Sequence, residues 1–190
     1  MGLTYFKRYR MELDLTRAPL AAAIAAPPLP PGYDLLPWSD ALIPAHATAK
    51  YESFRWEMDA NVFPCLGRRD GCQRLMREIS RRTSFVAEAT WLVQFRGHGG
   101  QAEPVGTVQG LRLEGWGALQ NLGVARHHRG QGLGTLLMAQ AAGGFSQAGL
   151  AKMHLEVTSD NTAAVRLYER MGFRRARTVF KAAEVAYAEA

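Results

Sequence analysis

Three glycines at alternate positions, Gly130, Gly132 and Gly134, follow Arg129 in the stretch RGQGLGTLL and run directly into an apolar, helix-like segment. The first amides of a helix have no carbonyl partners within it and carry the positive end of the aligned peptide dipoles, so this position suits an anion. Without Cβ atoms at the three glycines a diphosphate can approach those N–H groups, and Arg129 adds a guanidinium matched to phosphate oxygens. A second constellation lies downstream in HLEVTSDNTAAVRLYERMGF. Asn161 and Tyr168 are two helical turns apart and project from one face, the latter bringing a phenol that can donate a proton. In the preceding strand-like run, alternation puts His154, Glu156 and Thr158 on one face, away from Leu155 and Val157.

Other phosphate-binding loops fit less well. A Walker A loop requires a Lys-Ser/Thr pair after its last glycine, whereas Gly134 is followed by Thr135 and Leu136. A dinucleotide fingerprint needs glycines at positions one, three and six, but the sixth residue counted from Gly130 is Thr135, and from Gly132 it is Leu137. Glu156 stands roughly where a ribose-binding acid would, so a dinucleotide-dependent oxidoreductase stays open as a weaker reading.

The elements that must position these groups follow from periodicity. ALQNLGV (Ala118 to Val124) is a strand, a helix is expected from about Gln131 to Gln147, KMHLEVT (Lys152 to Thr158) is the next strand, and a further helix runs from about Thr162 to Met171. Strand, helix, strand in this order is a parallel β-α-β crossover, which places the glycine loop at a helix N-terminus. Gly172 is the expected left-handed cap of the last helix. Upstream, YDLLPW reads as a short strand, helices are expected around Ile43 to Glu57 and Asp70 to Arg82, and TWLVQF and VGTVQGLRL form a hairpin. The segment from Tyr5 to Leu15 alternates weakly and is a candidate extra strand. Five of the nine prolines fall between Pro19 and Pro31, so an Ala/Pro-rich linker is expected there and a domain from residue 32 to 190.

Composition limits the rest. A chain of 190 residues with 47% apolar content suffices for one domain with a real core. The net charge of +6 favours an anionic partner, but the basic residues are scattered rather than blocked, which fits a phosphate-bearing small molecule and argues against a nucleic-acid tail. The apolar N-terminal stretch is too short and broken to span a membrane. Cys65 and Cys72 lack the spacing of a zinc site or a disulfide framework, so no metal is expected, and two reduced thiols fit a cytoplasmic protein.

NLGVARHHRGQGLGTLL together with Asn161 through Phe173 resembles the GCN5-related N-acetyltransferase (GNAT) superfamily. The first segment is similar to its pyrophosphate motif at Arg129, Gly132 and Gly134, and the second to its Asn-x-x-Ala-x-x-Leu-Tyr-x-x-x-Gly-Phe motif. The resemblance implies an α/β fold with a central, mixed and largely antiparallel sheet flanked by helices. It also implies acetyl-CoA as acetyl donor, a sheet that splays between ALQNLGV and KMHLEVT, and a pantetheine arm in that gap. The cofactor-binding set is then Leu122, Gly123, Val124, Arg129, Gly130, Gln131, Gly132, Leu133, Gly134, Thr135 and Asn161. Tyr168 becomes the general acid for the departing thiolate.

Many members carry a glutamate base on the strand that here reads ALQNLGV, and this chain has Gln120 and Asn121 instead. Glu156 resembles the base proposed in the subgroup that acetylates protein N-terminal amines, and is the expected base. The activity implied is transfer of an acetyl group to an amine, a small molecule or a peptide N-terminus, by direct attack in a ternary complex. A weakly catalytic acyl-CoA-binding or regulatory domain is the alternative that the missing glutamate leaves open. Trp56, Asp59 and Phe63 lie where the superfamily builds its acceptor wall, with core and loop packing the simpler expectation for them. A homodimer is compatible with this reading.

Overall fold

A computed structural model describes residues 2–16, 26–97 and 101–185. Part of the expected Ala/Pro linker, residues 17–25, lies outside the described residues. In chain order the elements are β1 (Gly2–Asp14), β2 (Tyr33–Pro37), α1 (Ile43–Phe54), a short α2 (Asp59–Val62), α3 (Arg69–Ser80), β3 (Phe85–Arg96), β4 (Ala102–Leu113), β5 (Trp116–Val124), α4 (Leu133–Gln147), β6 (Lys152–Thr158), α5 (Thr162–Arg170) and β7 (Arg174–Val185).

The strands form one seven-stranded sheet in the order β2-β3-β4-β5-β6-β1-β7. Every neighbouring pair is antiparallel except β5 and β6, which the α4 crossover makes parallel. This is the mixed, largely antiparallel sheet flanked by helices that the resemblance implies. The weakly alternating N-terminal segment is an interior strand of this sheet. It pairs with β6 from Arg8↔Thr158 to Asp14↔Lys152 and, along its other edge, with β7. Residues set ahead of a domain starting at 32 thus share the sheet with it, between two strands from the chain's far end.

Helices cover both faces. On one, Leu137, Met138 and Phe145 of α4 pack with Met11, Val93, Val108, Leu155 and Phe173 in the larger core. On the other, Ala47 of α1 and Cys72, Met76 and Ile79 of α3 close on Leu111 and Ala118 in a smaller one. β1 contributes to the larger core with Met11 and Leu13, while the opposite parity sends Arg8, Arg10 and Glu12 to the face that carries His154, Glu156 and Thr158.

Candidate active site

The sheet opens where the chemistry is expected. β5 and β6 are bridged at Gly117–Met153 and Ala118–His154 and not beyond. Past that point β5 carries a bulge: Gln120 lies opposite Gln109 and Gly123 opposite Thr107, so Asn121 and Leu122 together face the single residue Val108. Asn121 takes a left-handed φ of 50°, which asparagine tolerates better than most residues. The bulge turns β5 away from β6 and leaves the backbone of Leu122, Gly123 and Val124 along one wall of the gap. Gly123 also admits the end of α1, since a Cβ there would sit 2.6 Å from that of Ser53.

A cavity of about 470 Å³ occupies this gap. Leu122, Gly123 and Val124 line it on one side, the glycine loop closes one end, and Asn161, Leu167 and Tyr168 of the α5 segment form the opposite wall. Gly130 and Gly132 have φ of 79° and 78°, so the loop requires glycine at both for its backbone path. Space enters differently: a Cβ on Gly130 would meet nothing within 4 Å, and one on Gly134 only Leu167 at 3.7 Å. The helix starts at Leu133, two residues later than expected, and its first hydrogen bond runs from Leu136 N–H to Gly132 C=O at 3.0 Å. The amides of Leu133, Gly134 and Thr135 precede that bond and lie at the cavity, an arrangement that fits a diphosphate. Leu133 turns its side chain into the core, whereas Gln131 is exposed and does not line the cavity.

Arg129 lines the same cavity, and most of its guanidinium is also bonded to the protein. Its Nε donates to Val124 O at 2.9 Å, Nη2 to Ser53 O at 3.0 Å, and Nη1 lies 2.8 Å from Glu57 Oε1. The guanidinium thus ties the start of the loop to β5 and to the end of α1, and its remaining N–H groups alone are free for a phosphate.

α5 is built for its position. Asn161 caps it by accepting from Ala164 N–H at 3.2 Å, and Gly172, with φ of 89°, ends it as expected. Gly172 N–H reaches Glu169 O and Phe173 N–H reaches Tyr168 O, both at 3.0 Å, the paired bonds of a Schellman motif. Asn161 and Tyr168 share the cavity wall, as their spacing predicts. Tyr168 is 8% exposed, and among the described residues its hydroxyl has no hydrogen-bond partner. Burial, then the nearby Asp59 carboxylate, pushes its pKa well up, so the phenol stays protonated.

A second cavity of about 120 Å³ shares Phe54, Asp59, Leu122, Asn161, Ala164 and Tyr168 with the first, and a third of about 400 Å³ extends it outward past Arg8, Phe63, Asn121 and Glu156. Glu156 faces these outer cavities and not the one holding the glycine loop; its side chain is 43% exposed. Gln120 and Asn121, in place of the usual strand carboxylate, line the outermost of them. Of the three acceptor-wall candidates, Asp59 and Phe63 line the outer space and Trp56, 76% exposed, does not.

Sequence reasoning missed Arg8. From β1, opposite Thr158, its Nη2 donates to Glu156 O at 2.9 Å, Nε lies 3.7 Å from Glu156 Oε2, Nη1 lies 3.9 Å from Asp59 Oδ1, and the guanidinium covers the Phe63 ring. The signal available was parity: charged residues alternate at Arg8, Arg10 and Glu12 in KRYRME, 148 residues from the Glu156 that Arg8 reaches. Among the described residues no cluster of His, Cys, Asp or Glu has the makings of a metal site, and no helix is long and apolar enough to cross a membrane.

Comparison with known proteins agrees with this architecture. A GCN5-related N-acetyltransferase from Sphaerobacter thermophilus superposes with a TM-score of 0.65 at 22% identity, over 95% of this chain and 52% of its own. The ribosomal-protein-S18-alanine N-acetyltransferase of Escherichia coli superposes at 0.57 and 16% identity, over 83% of this chain and 96% of its own. These likenesses define the fold class, a mixed α/β sheet flanked by helices. The chain belongs to the acetyltransferase (GNAT) family, which it matches over residues 49–173. Such a fold carries an acetyl-CoA site. In sequence it is similar to the uncharacterized N-acetyltransferase YobR of Bacillus subtilis (39% over 61 residues), and to N-alpha-acetyltransferase 30 of Schizosaccharomyces pombe (33% over 73 residues). These matches take in 32% and 38% of this chain and span 25% and 47% of those proteins.

Proposed function

We propose that the protein is an acetyl-CoA-dependent N-acetyltransferase that passes the acetyl group directly to an amine in a ternary complex. The observation that carries this reading is the meeting of the donor and acceptor cavities at one shared wall of Asp59, Asn161 and Tyr168. A thioester lying along β5 in the first cavity and an amine entering through the second would face each other there, which is the approach that direct transfer needs.

The amides of Leu133, Gly134 and Thr135 would hold the diphosphate, and the backbone of Leu122 to Val124 the pantetheine arm. When bound, acetyl-CoA supplies the activated acetyl group. Tyr168 holds the proton that the thiol leaving group requires, and a carboxylate of the acceptor space receives the one that the acceptor ammonium sheds. Two carboxylates face that space: Glu156, expected from the strand, and Asp59. The likeness to the fission-yeast N-alpha-acetyltransferase supports including peptides with a free α-amine among the acceptors tried.

The deciding experiment combines calorimetry with acetyl-CoA and a screen of primary amines and short peptides, following release of free thiol. Saturable binding with amine-dependent thiol release is the expected result. Binding without release for any amine would favour an acyl-CoA-binding domain; binding of NAD(H) in place of CoA would overturn the reading.

A further inference from the structure

We propose that Asp59, positioned by Arg8 of the N-terminal strand, is the residue that takes the proton from the acceptor amine. This rests on the acetyltransferase reading above and names the base within that site. Among the described residues Asp59 is the one carboxylate lining both the donor cavity and the acceptor cavity that adjoins it. Glu57, the other carboxylate at the donor cavity, is engaged with Arg129, and Glu156 lies on the acceptor side alone. A base must reach the nitrogen that attacks the thioester carbon, and on this reading that carbon would lie where the two cavities join.

Arg8 gives the second, independent observation. It is 6% exposed, yet its Nε and Nη1 have no hydrogen-bond partner among the described residues, and it lines the acceptor cavities. Its distances to Asp59 and Glu156, 3.9 and 3.7 Å, are those of ion pairs short of hydrogen bonds. A buried guanidinium in that position favours the ionised form of Asp59 and so works against its burial. The groups facing Asp59 are Arg8 from β1, Glu57 from the segment before α2, Thr158 from β6, and Asn161 and Tyr168 from the α5 segment, with Glu156 and Lys181 farther out on β6 and β7. Burial, the largest influence, raises the Asp59 pKa; Arg8 opposes it, with hydrogen bonds from Thr158 and Asn161.

The protons balance as follows. Asp59 carboxylate accepts one proton from the ammonium, leaving a neutral amine. The C–N bond forms at the thioester carbonyl carbon and the C–S bond breaks. The sulfur leaves with the bonding pair and takes the Tyr168 hydroxyl proton. The nitrogen, now in an amide, gives up its second proton, which returns to the phenolate. Asp59 releases its proton to solvent through the outer cavity, so the net products are amide, thiol and one proton.

The test is the pH dependence of kcat/KM with acetyl-CoA and a short peptide bearing a free α-amine, or whichever primary amine of the screen is fastest. Asp59→Asn should lower the rate at pH 7 by about 10²-fold or more and recover toward wild type near pH 9, with acetyl-CoA affinity unchanged. Arg8→Gln should move the ascending limb to higher pH, and Arg8→Lys should bring it part of the way back; a purely structural role would lower the rate without moving the limb. Thermal unfolding checks that the variants fold, and a readout independent of activity is the Asp59 carboxyl carbon, followed by NMR in the wild-type protein and identified by its loss in Asp59→Asn. It should titrate above the ordinary carboxylate range and respond to acetyl-CoA. An unaltered or uniformly lowered profile in Asp59→Asn, loss of the limb in Glu156→Gln instead, or an Asp59 signal indifferent to acetyl-CoA would each overturn the assignment. Failure of acetyl-CoA to bind, or of any amine to react, would overturn the functional reading itself, and this inference with it.

Discussion

Arg129 Nη1 lies 2.8 Å from Glu57 Oε1, joining the residue that opens the glycine loop to the segment between α1 and α2. Both side chains are partly exposed, so the ion pair alone is worth about 1 kcal/mol or less. The two further bonds from the same guanidinium to Val124 O and Ser53 O make it a brace across three elements. Arg129→Met should therefore lower Tm as well as weaken acetyl-CoA binding, and Glu57→Gln should reproduce part of both effects. A double-mutant cycle on thermal stability is expected to show coupling of about 0.5 kcal/mol or more. Full additivity, with affinity lost only in Arg129→Met, would return Arg129 to direct phosphate binding.

The glycines of the loop separate into two kinds. Gly132 sits at φ 78°, where any L side chain is strained by about 1–2 kcal/mol, so Gly132→Ala should cost stability before any ligand is present. Gly134 is inside the first turn of α4 with room for a methyl group beside Leu167. Gly134→Ala should keep or raise Tm, by up to about 1 kcal/mol of added helix stability, while weakening acetyl-CoA binding if the diphosphate lies on that amide. Calorimetric affinity alongside scanning calorimetry distinguishes the two. An unchanged affinity in Gly134→Ala would move the diphosphate off this turn.

Tyr168→Phe removes the hydroxyl from a buried ring that also packs on Phe173, so the fold should survive. Acetyl-CoA affinity should be unchanged and turnover reduced by about 10²-fold. Because burial and Asp59 both push the phenol's pKa up, Tyr168 should contribute no descending limb to the rate profile below pH 10. A limb near pH 8 to 9 that disappears in Tyr168→Phe would contradict the protonated state assigned to it.

Local patterns located the crossover, the glycine loop, the Asn161 cap, Gly172 and the shared face of Asn161 and Tyr168, because each depends on spacing within one or two turns. The splay between β5 and β6 was implied by resemblance. Its local cause is the bulge at Asn121 and Leu122, where neither bulged position is glycine or proline and where Gly123 beside them also serves the close approach of α1. The partners of Arg129 were illegible for a different reason: Ser53 and Glu57 are more than 70 residues away, and a guanidinium reads the same whether it waits for a phosphate or ties down a backbone. Distance in the chain also hid Arg8. Alternation in the N-terminal segment signalled a strand but not its neighbours, and only the pairing with Thr158 and Glu156 brings that side chain to the cavity.

α1 carries a polar cluster outside the three cavities, and it should govern stability. Lys50 is fully buried with no partner for Nζ among the described residues; one turn earlier, His46 Nδ1 pairs with Thr107 Oγ1 at 2.8 Å and leaves Nε2 without one. Burial pushes the Lys50 pKa down to about 7 and that of His46 down to about 3. The unfolded lysine titrates near 10.4, so below that pH the unfolded chain binds a proton that the native state resists. Native stability should accordingly rise from about pH 7 upward. Cys72, whose thiol burial raises to about 11, opposes this once an unfolded thiol ionises above roughly pH 8.5, confining the net gain to about pH 7 to 8.5. Toward acid, His46 should cost further stability as pH falls from about 6.5 to 3. Lys50→Met keeps most of the volume without the amine, and should raise Tm by several degrees at pH 7, by less at pH 8.5, and flatten the slope between them. Thermal unfolding at pH 5, 7 and 8.5 tests this. A lower Tm for Lys50→Met at all three would mean that the ammonium is solvated inside the protein, with ordered water linking it to His46 Nε2 and the Gln109 carbonyl.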